Sequence, residues 1–179
     1  MYPDFLQPSS VELFIVDGSP LEIPKCLVSF DRWNGEPIKN TFGGKPILLI
    51  EAKPMFAELA ILTYFIKDGW QARWIETYGK PKLAPIKLSA WIDDKHINQV
   101  DDPIQDESIL KIFSGIASLN DNSYAGCWDV MAWKGERIVF AESKRKKKDS
   151  IRNTQTNWLR SGLEAGLSTD NFLVVKWEM

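Results

Sequence analysis

The chain has one histidine, His96, and two cysteines, Cys26 and Cys127, in 179 residues. Cysteines roughly a hundred positions apart form neither a Cys-x-x-Cys zinc knuckle nor a dense disulfide framework. A Ser-His-Asp triad would have to use His96, which sits in an acidic, loop-like stretch with no Ser or Cys motif beside it. Chemistry is therefore left to carboxylates, lysine and water. The residues best spaced for it are Asp129, Glu142 and Lys144, followed by a dense basic run. From Lys144 to Arg152 the chain sets Lys144, Arg145, Lys146, Lys147, Lys148 and Arg152 against the carboxylate of Asp149. Such a patch is the electrostatic footprint of a phosphate backbone, although many basic runs are only solvated loops. It stands out because the whole chain carries a net charge of −2.

Hairpin geometry brings the acids together. Cys127 to Trp133 and Arg137 to Ser143 read as two strands. A two-residue loop at Lys134-Gly135 would pair Trp133 with Glu136 and set Asp129 opposite Phe140. Period-two alternation then puts Asp129, Glu142 and Lys144 on one face, with Asp129 and Glu142 as diagonal neighbours roughly 7 to 8 Å apart. Two carboxylates at that separation can converge on Mg²⁺, with Mn²⁺ as a substitute. Lys144 is then placed to orient the attacking water or to stabilise charge on a phosphate. A one-residue slip would turn Asp129 to the opposite face.

The following helix is expected over Ser150 to Ala165, capped by Asp149 or Ser150. Its apolar stripe of Ile151, Trp158, Leu159, Gly162 and Leu163 is interrupted by Gln155. A buried amide needs partners: water at a metal, a phosphate, or backbone at a helix end. Phe172 to Trp177 reads as the last strand. Upstream, Val11 to Val16, Cys26 to Phe30 and Ile47 to Glu51 read as short strands separated by Asp17-Gly18, Asn34-Gly35 and Gly43-Gly44. Pro54 suits the first turn of a helix running to Asp68-Gly69, and Trp70 to Thr77 a strand. Residues 79–106, with Pro81, Pro85, Pro103 and a cluster of aspartates, read as an irregular insertion with one strand near Ile86 to Ile92. The acids are too loosely spaced for a calcium loop. Glu107 to Leu119 is a second amphipathic helix.

These residues resemble the PD-(D/E)XK nucleases, and most closely the virus-type replication–repair nuclease (VRR-NUC) branch. The resemblance rests on Gly126-Cys127-Trp128-Asp129, on Glu142-Ser143-Lys144 ending a hydrophobic strand, and on Gln155-Thr156-Asn157-Trp158-Leu159, and it extends through Val174-Val175. It implies an α/β fold with a restriction-endonuclease-like αβββαβ core, a mixed central sheet flanked by helices, over residues 54–179. Residues 1–53 would be a β-rich extension of the same domain, either a family-specific elaboration or a homodimer surface.

Carried over, the resemblance implies catalytic roles for Asp129, Glu142, Lys144 and Gln155, with Glu58 added from the first helix. Asp129, Glu142 and Ser143 would form the Mg²⁺ group, and Arg145, Lys146, Lys147, Lys148 and Arg152 would bind DNA, duplex or branched. The family usually has Pro where this chain has Trp128. A competing Glu-x-Lys, Glu51-Ala52-Lys53, has neither an acid on a preceding hairpin strand nor a following Gln.

The expected function is thus a metal-dependent deoxyribonuclease, in keeping with DNA repair. The alternatives are a non-catalytic DNA-binding or assembly module on the same scaffold, and a plain α/β interaction protein. The eight tryptophans read as core rather than base-stacking platforms. With no run of about 18 apolar residues and no signal-peptide pattern, a cytoplasmic protein with no membrane contact is expected.

Overall fold

The computed structural model describes residues 2–39, 44–77 and 83–179. Over these described residues it is a mixed α/β fold with three α-helices. In chain order the strands are β1 (Ser10–Val16), β2 (Ser19–Ser29), β3 (Asp31–Arg32), β4 (Leu48–Ile50), β5 (Lys53–Met55), β6 (Gln71–Glu76), β7 (Ile86–Leu88), β8 (Val130–Lys134), β9 (Arg137–Arg145) and β10 (Phe172–Glu178). The helices are α1 (Ala57–Lys67), α2 (Glu107–Leu119) and α3 (Asn153–Glu164). Seven strands form one sheet in the order β1-β2-β10-β9-β8-β6-β7, while β3-β4-β5 form a small second sheet. β10 runs parallel to both β9 and β2, and the other neighbours in the large sheet are antiparallel.

Both faces of the central strands are buried, which explains their nearly unbroken apolar sequences. Val130, Ala132, Val139, Ala141, Leu173 and Val175 face α1, in a core with Leu59, Ile61 and Phe65. The alternate residues Met131, Trp133, Ile138, Phe140, Phe172 and Val174 pack with Ile109, Phe113, Ile116, Trp158 and Leu159 from α2 and α3. Trp128, Trp133 and Trp158 are buried among these side chains. Trp158 meets Phe113 and Phe140 edge-on, at centroid separations of 5.8 and 6.0 Å. The helix expected over Glu107–Leu119 is present with those bounds, and the Asp106 carboxylate caps it by accepting from the Ser108 and Ile109 amides. Among the described residues no helix is long and apolar enough to cross a membrane.

Several local expectations shift. The hairpin loop is Gly135-Glu136 rather than Lys134-Gly135, because Lys134 pairs with Arg137. Gly135, at φ +60°, takes the first central position, where a two-residue II′ turn requires glycine. Pro54 does not open a helix. Glu51 and Ala52, both at positive φ, turn the chain so that β4 and β5 pair, and Pro54 lies on the outer strand of the small sheet, where its missing N–H breaks no ladder. α1 therefore starts at Ala57.

α3 starts at Asn153 rather than Ser150, since Lys148 and Asp149 first close a turn onto the Arg145 carbonyl. The expected Cys26–Phe30 strand is the end of the much longer β2, entered through an Asp17-Gly18 turn. In the insertion, regular pairing covers only Ile86–Leu88 of the expected Ile86–Ile92 strand. Its acids also anchor it: Asp102 pairs with Arg73 at 3.0 Å and Asp101 with Lys87 at 3.3 Å. The Gly43 half of one expected turn and the start of the insertion, residues 79–82, lie outside the described residues.

Gly162 lets α3 lie close against the sheet, since a Cβ there would stand 2.6 Å from the Phe172 ring. Gly162→Val should therefore lower stability by about 2 kcal/mol or more through overpacking, measured as a reduced urea midpoint with unchanged m.

Candidate active site

The site is built where β8 begins and β9 ends. One more step of the β8–β9 ladder beyond Val130↔Ala141 sets Asp129 directly opposite Glu142, rather than diagonal to it. Moving the loop by one residue changes the pairing by two, so the side chains keep their faces. The Asp129 carbonyl accepts from the Ile75 amide at 2.8 Å, and its Oδ2 accepts from the Ser143 amide at 2.9 Å. Glu142 is 1% exposed. Its Oε1 receives Gln155 Nε2 at 2.6 Å and Lys144 Nζ at 3.0 Å. Its Oε2 is buried with no hydrogen-bond partner.

Gln155 resolves the anomaly in the helical stripe. As the third residue of α3, it accepts on Oε1 from the Arg152 amide at 2.9 Å, closing the helix N-terminus, and from Lys144 Nζ at 3.0 Å. Its Nε2 is left to hold Glu142. Of the partners expected for this amide, backbone at a helix end is the one used, and the fold adds the Glu142 carboxylate and the Lys144 ammonium.

Trp128 has a structural role at the position where the resembled family has Pro. Its indole packs edge-on against Phe172 at 5.1 Å, and its Nε1 donates to the Gln155 carbonyl at 3.2 Å. Two residues earlier, Gly126 has φ +78°, and a Cβ there would stand 2.0 Å from the Thr154 carbonyl oxygen. Gly126 and Trp128 together bind the segment carrying Asp129 to the helix carrying Gln155.

Ser143 contributes only its main chain to this face. Its hydroxyl accepts from Trp177 Nε1 at 2.9 Å on the opposite side of the strand. Glu58, buried on α1, lines the same cleft and pairs with Lys45 at 2.7 Å. Sequence reading missed Lys45, which has no periodic or motif signal and reaches the cleft only through the fold.

The basic run divides. Arg145, Lys148 and Arg152 line the cleft, and the Arg145 guanidinium lies 5.8 Å from the Trp177 ring centre. Lys146 turns to Glu178 at 2.7 Å and, with Lys147, lines a neighbouring groove beside Lys25 and Lys176. The competing Glu51-Ala52-Lys53 is a hairpin turn, with Glu51 paired to Lys67 outside the cleft. His96 does not line the cleft.

The cleft has a volume of about 740 Å³, ample for a nucleotide-sized group. Burial, together with the Glu58 charge, pushes the Asp129 carboxyl up to about 6, against the pull of Lys45, the Ser143 amide and Lys144. Glu142 is also raised, by burial and then by Asp129, with Lys144 opposing. Two adjacent buried carboxylates, one with an oxygen lacking any donor, form a hard-oxygen set short of positive charge. That donor set fits a divalent cation such as Mg²⁺, which is commonly held by one or two carboxylates with water completing its shell. Among the described residues, no three His, Cys, Asp or Glu side chains form a ready-made metal cage. No family model, curated protein or solved structure matches the chain.

Between about pH 4 and 6 the folded protein keeps an Asp129 proton that the unfolded chain has lost, so stability falls as pH rises through that window. In EDTA-treated protein at pH 7, Asp129→Asn should therefore be more stable than the wild type by up to about 3 kcal/mol, the difference closing near pH 4. Urea denaturation across this pH range measures it.

Proposed function

We propose that the protein is a Mg²⁺-dependent nuclease of the restriction-endonuclease-like type, hydrolysing phosphodiester bonds in DNA. The observation that carries this reading is the convergence of Asp129, Glu142, Lys144 and Gln155 in one cleft, with Glu142 Oε2 unpartnered. The order α1, β6, β8, β9, α3, β10 supports it, because it parallels the αβββαβ core implied by the resemblance, with β7 and α2 inserted.

Asp129 and Glu142 would hold the ion through their carboxylates, with main-chain groups of Ser143 beside them. A divalent ion there supplies Lewis-acid polarisation and neutralises charge on the phosphate. The chain's own residues do the rest. Gln155 fixes both Glu142 and the Lys144 ammonium, so that Lys144 presents its one remaining donor to the attacking water or to negative charge developing on the phosphate oxygens. The Ser143 amide holds the Asp129 carboxylate in place. Arg145, Lys148 and Arg152 bring cationic groups to the rim, where flanking phosphates would lie. Lys146 and Lys147 extend positive charge into the adjoining groove.

With Mg²⁺, the purified protein should nick or cleave plasmid, linear or branched DNA. Asp129→Ala should abolish cleavage while preserving the circular dichroism spectrum and most of the DNA affinity. Full activity in that variant would refute the assignment, and salt-sensitive binding with no cleavage of any DNA topology would leave a non-catalytic DNA-binding module. Lys148→Ala should lower affinity across sequences and reduce the salt slope by about 1, read from binding isotherms at several salt concentrations.

A further inference from the structure

Lys45 enters the cleft from the segment preceding β4 and is the least expected cation there. Its ammonium lies 2.7 Å from Glu58 Oε1 and 5.0 Å from the centre of the Trp74 ring. The side chain is only 32% exposed. Asp129 and Glu76 are the next carboxylates that act on its charge. An aromatic face below and carboxylates around make a seat for a cation, and the chain fills it with its own lysine.

The charges around the cleft floor follow an order. Asp129 feels both Lys45 and Lys144, whereas Glu142 is opposed by Lys144. Lys45, Glu58, Glu76, Asp129, Glu142 and Lys144 line one cleft, with Lys45 paired to Glu58 and Lys144 to Glu142. A two-metal phosphodiesterase site needs a second ion roughly 3.5 to 4 Å from the first, sharing a carboxylate with it. Asp129 would be the shared ligand and Glu58 the second ion's own, but the Glu58 carboxylate is bound by Lys45.

We propose that Lys45 is a tethered cation occupying the place of a second divalent ion between Glu58 and Asp129, which restricts the site to one. This rests on the reading of Asp129 and Glu142 as metal ligands. Removal of the Lys45 charge frees Glu58, creating a second ion site.

The test is a Mn²⁺ titration of the full-length, metal-stripped protein, followed by calorimetry and by electron paramagnetic resonance. Wild type and Lys45→Arg should bind one Mn²⁺ with the spectrum of an isolated ion. Lys45→Met and Lys45→Gln, two different neutral replacements, should bind two, with spectral broadening from two neighbouring ions. Two ions in the wild type would overturn the proposal. So would one ion in a neutral variant whose circular dichroism matches the wild type. Asp129→Ala separates the two levels. If the single wild-type ion is lost in that variant, the metal site stands whatever Lys45 does. If the wild type binds none, the metal reading and the role of Lys45 fall together.

Discussion

Two carboxylates facing each other at the buried end of a sheet repel, and each pays for the water it has lost. Asp129 and Glu142 are held in that position by groups whose main role is to prevent escape. A main-chain amide grips one, and an amide side chain and an ammonium grip the other. Burial above all holds both carboxyls over the ordinary carboxylate range, with the Glu58 charge adding to it at Asp129 and the Asp129 charge at Glu142. An arrangement costly in the free chain becomes favourable once a cation joins it, since a buried charge is tolerated only when paired.

The same constraint organises the surrounding elements. A tight II′ turn sets Asp129 level with Glu142, and Gly126 lets the preceding segment lie directly against the first turn of α3. Trp128 then joins that segment to the helix by a hydrogen bond and by packing in the aromatic core. Gln155 spends one oxygen on its own helix end while its nitrogen reaches the site. Sheet, turn and helix are therefore tied at single residues that serve backbone and chemistry together.

The parts of this arrangement legible in the sequence were those with a period or a local chemical signature. Strand alternation on β9 put Glu142 and Lys144 on one face, the break in the α3 stripe singled out Gln155, and apolar spacing gave α2 its bounds. Parity also protected the pairing of Asp129 with Glu142, because a misplaced two-residue loop shifts partners without exchanging faces. What was not legible depended on contacts between distant segments. Lys45 and Glu58 meet only after the small sheet has formed, and the turn that builds it, Glu51-Ala52, has neither Gly nor Asn at its positive-φ positions. The division of the basic run was hidden for a similar reason: Lys146 turns toward Glu178, a residue supplied by the last strand.

The position of β10 in the sheet governs the order in which the chain can fold. It lies between β2 and β9, and it pairs parallel with both. β9 reaches it by a short crossover through α3, but pairing with β2 spans most of the chain and closes a long loop before any pairing energy is returned, which slows folding and leaves edges open meanwhile. The β1–β2 hairpin forms locally and then waits, during synthesis, for residues 172–178 to emerge before it can join the sheet. Until then Phe14 and Ile23, buried in the finished protein, have no core to enter, so the early hairpin is the segment most in need of protection from association with other chains.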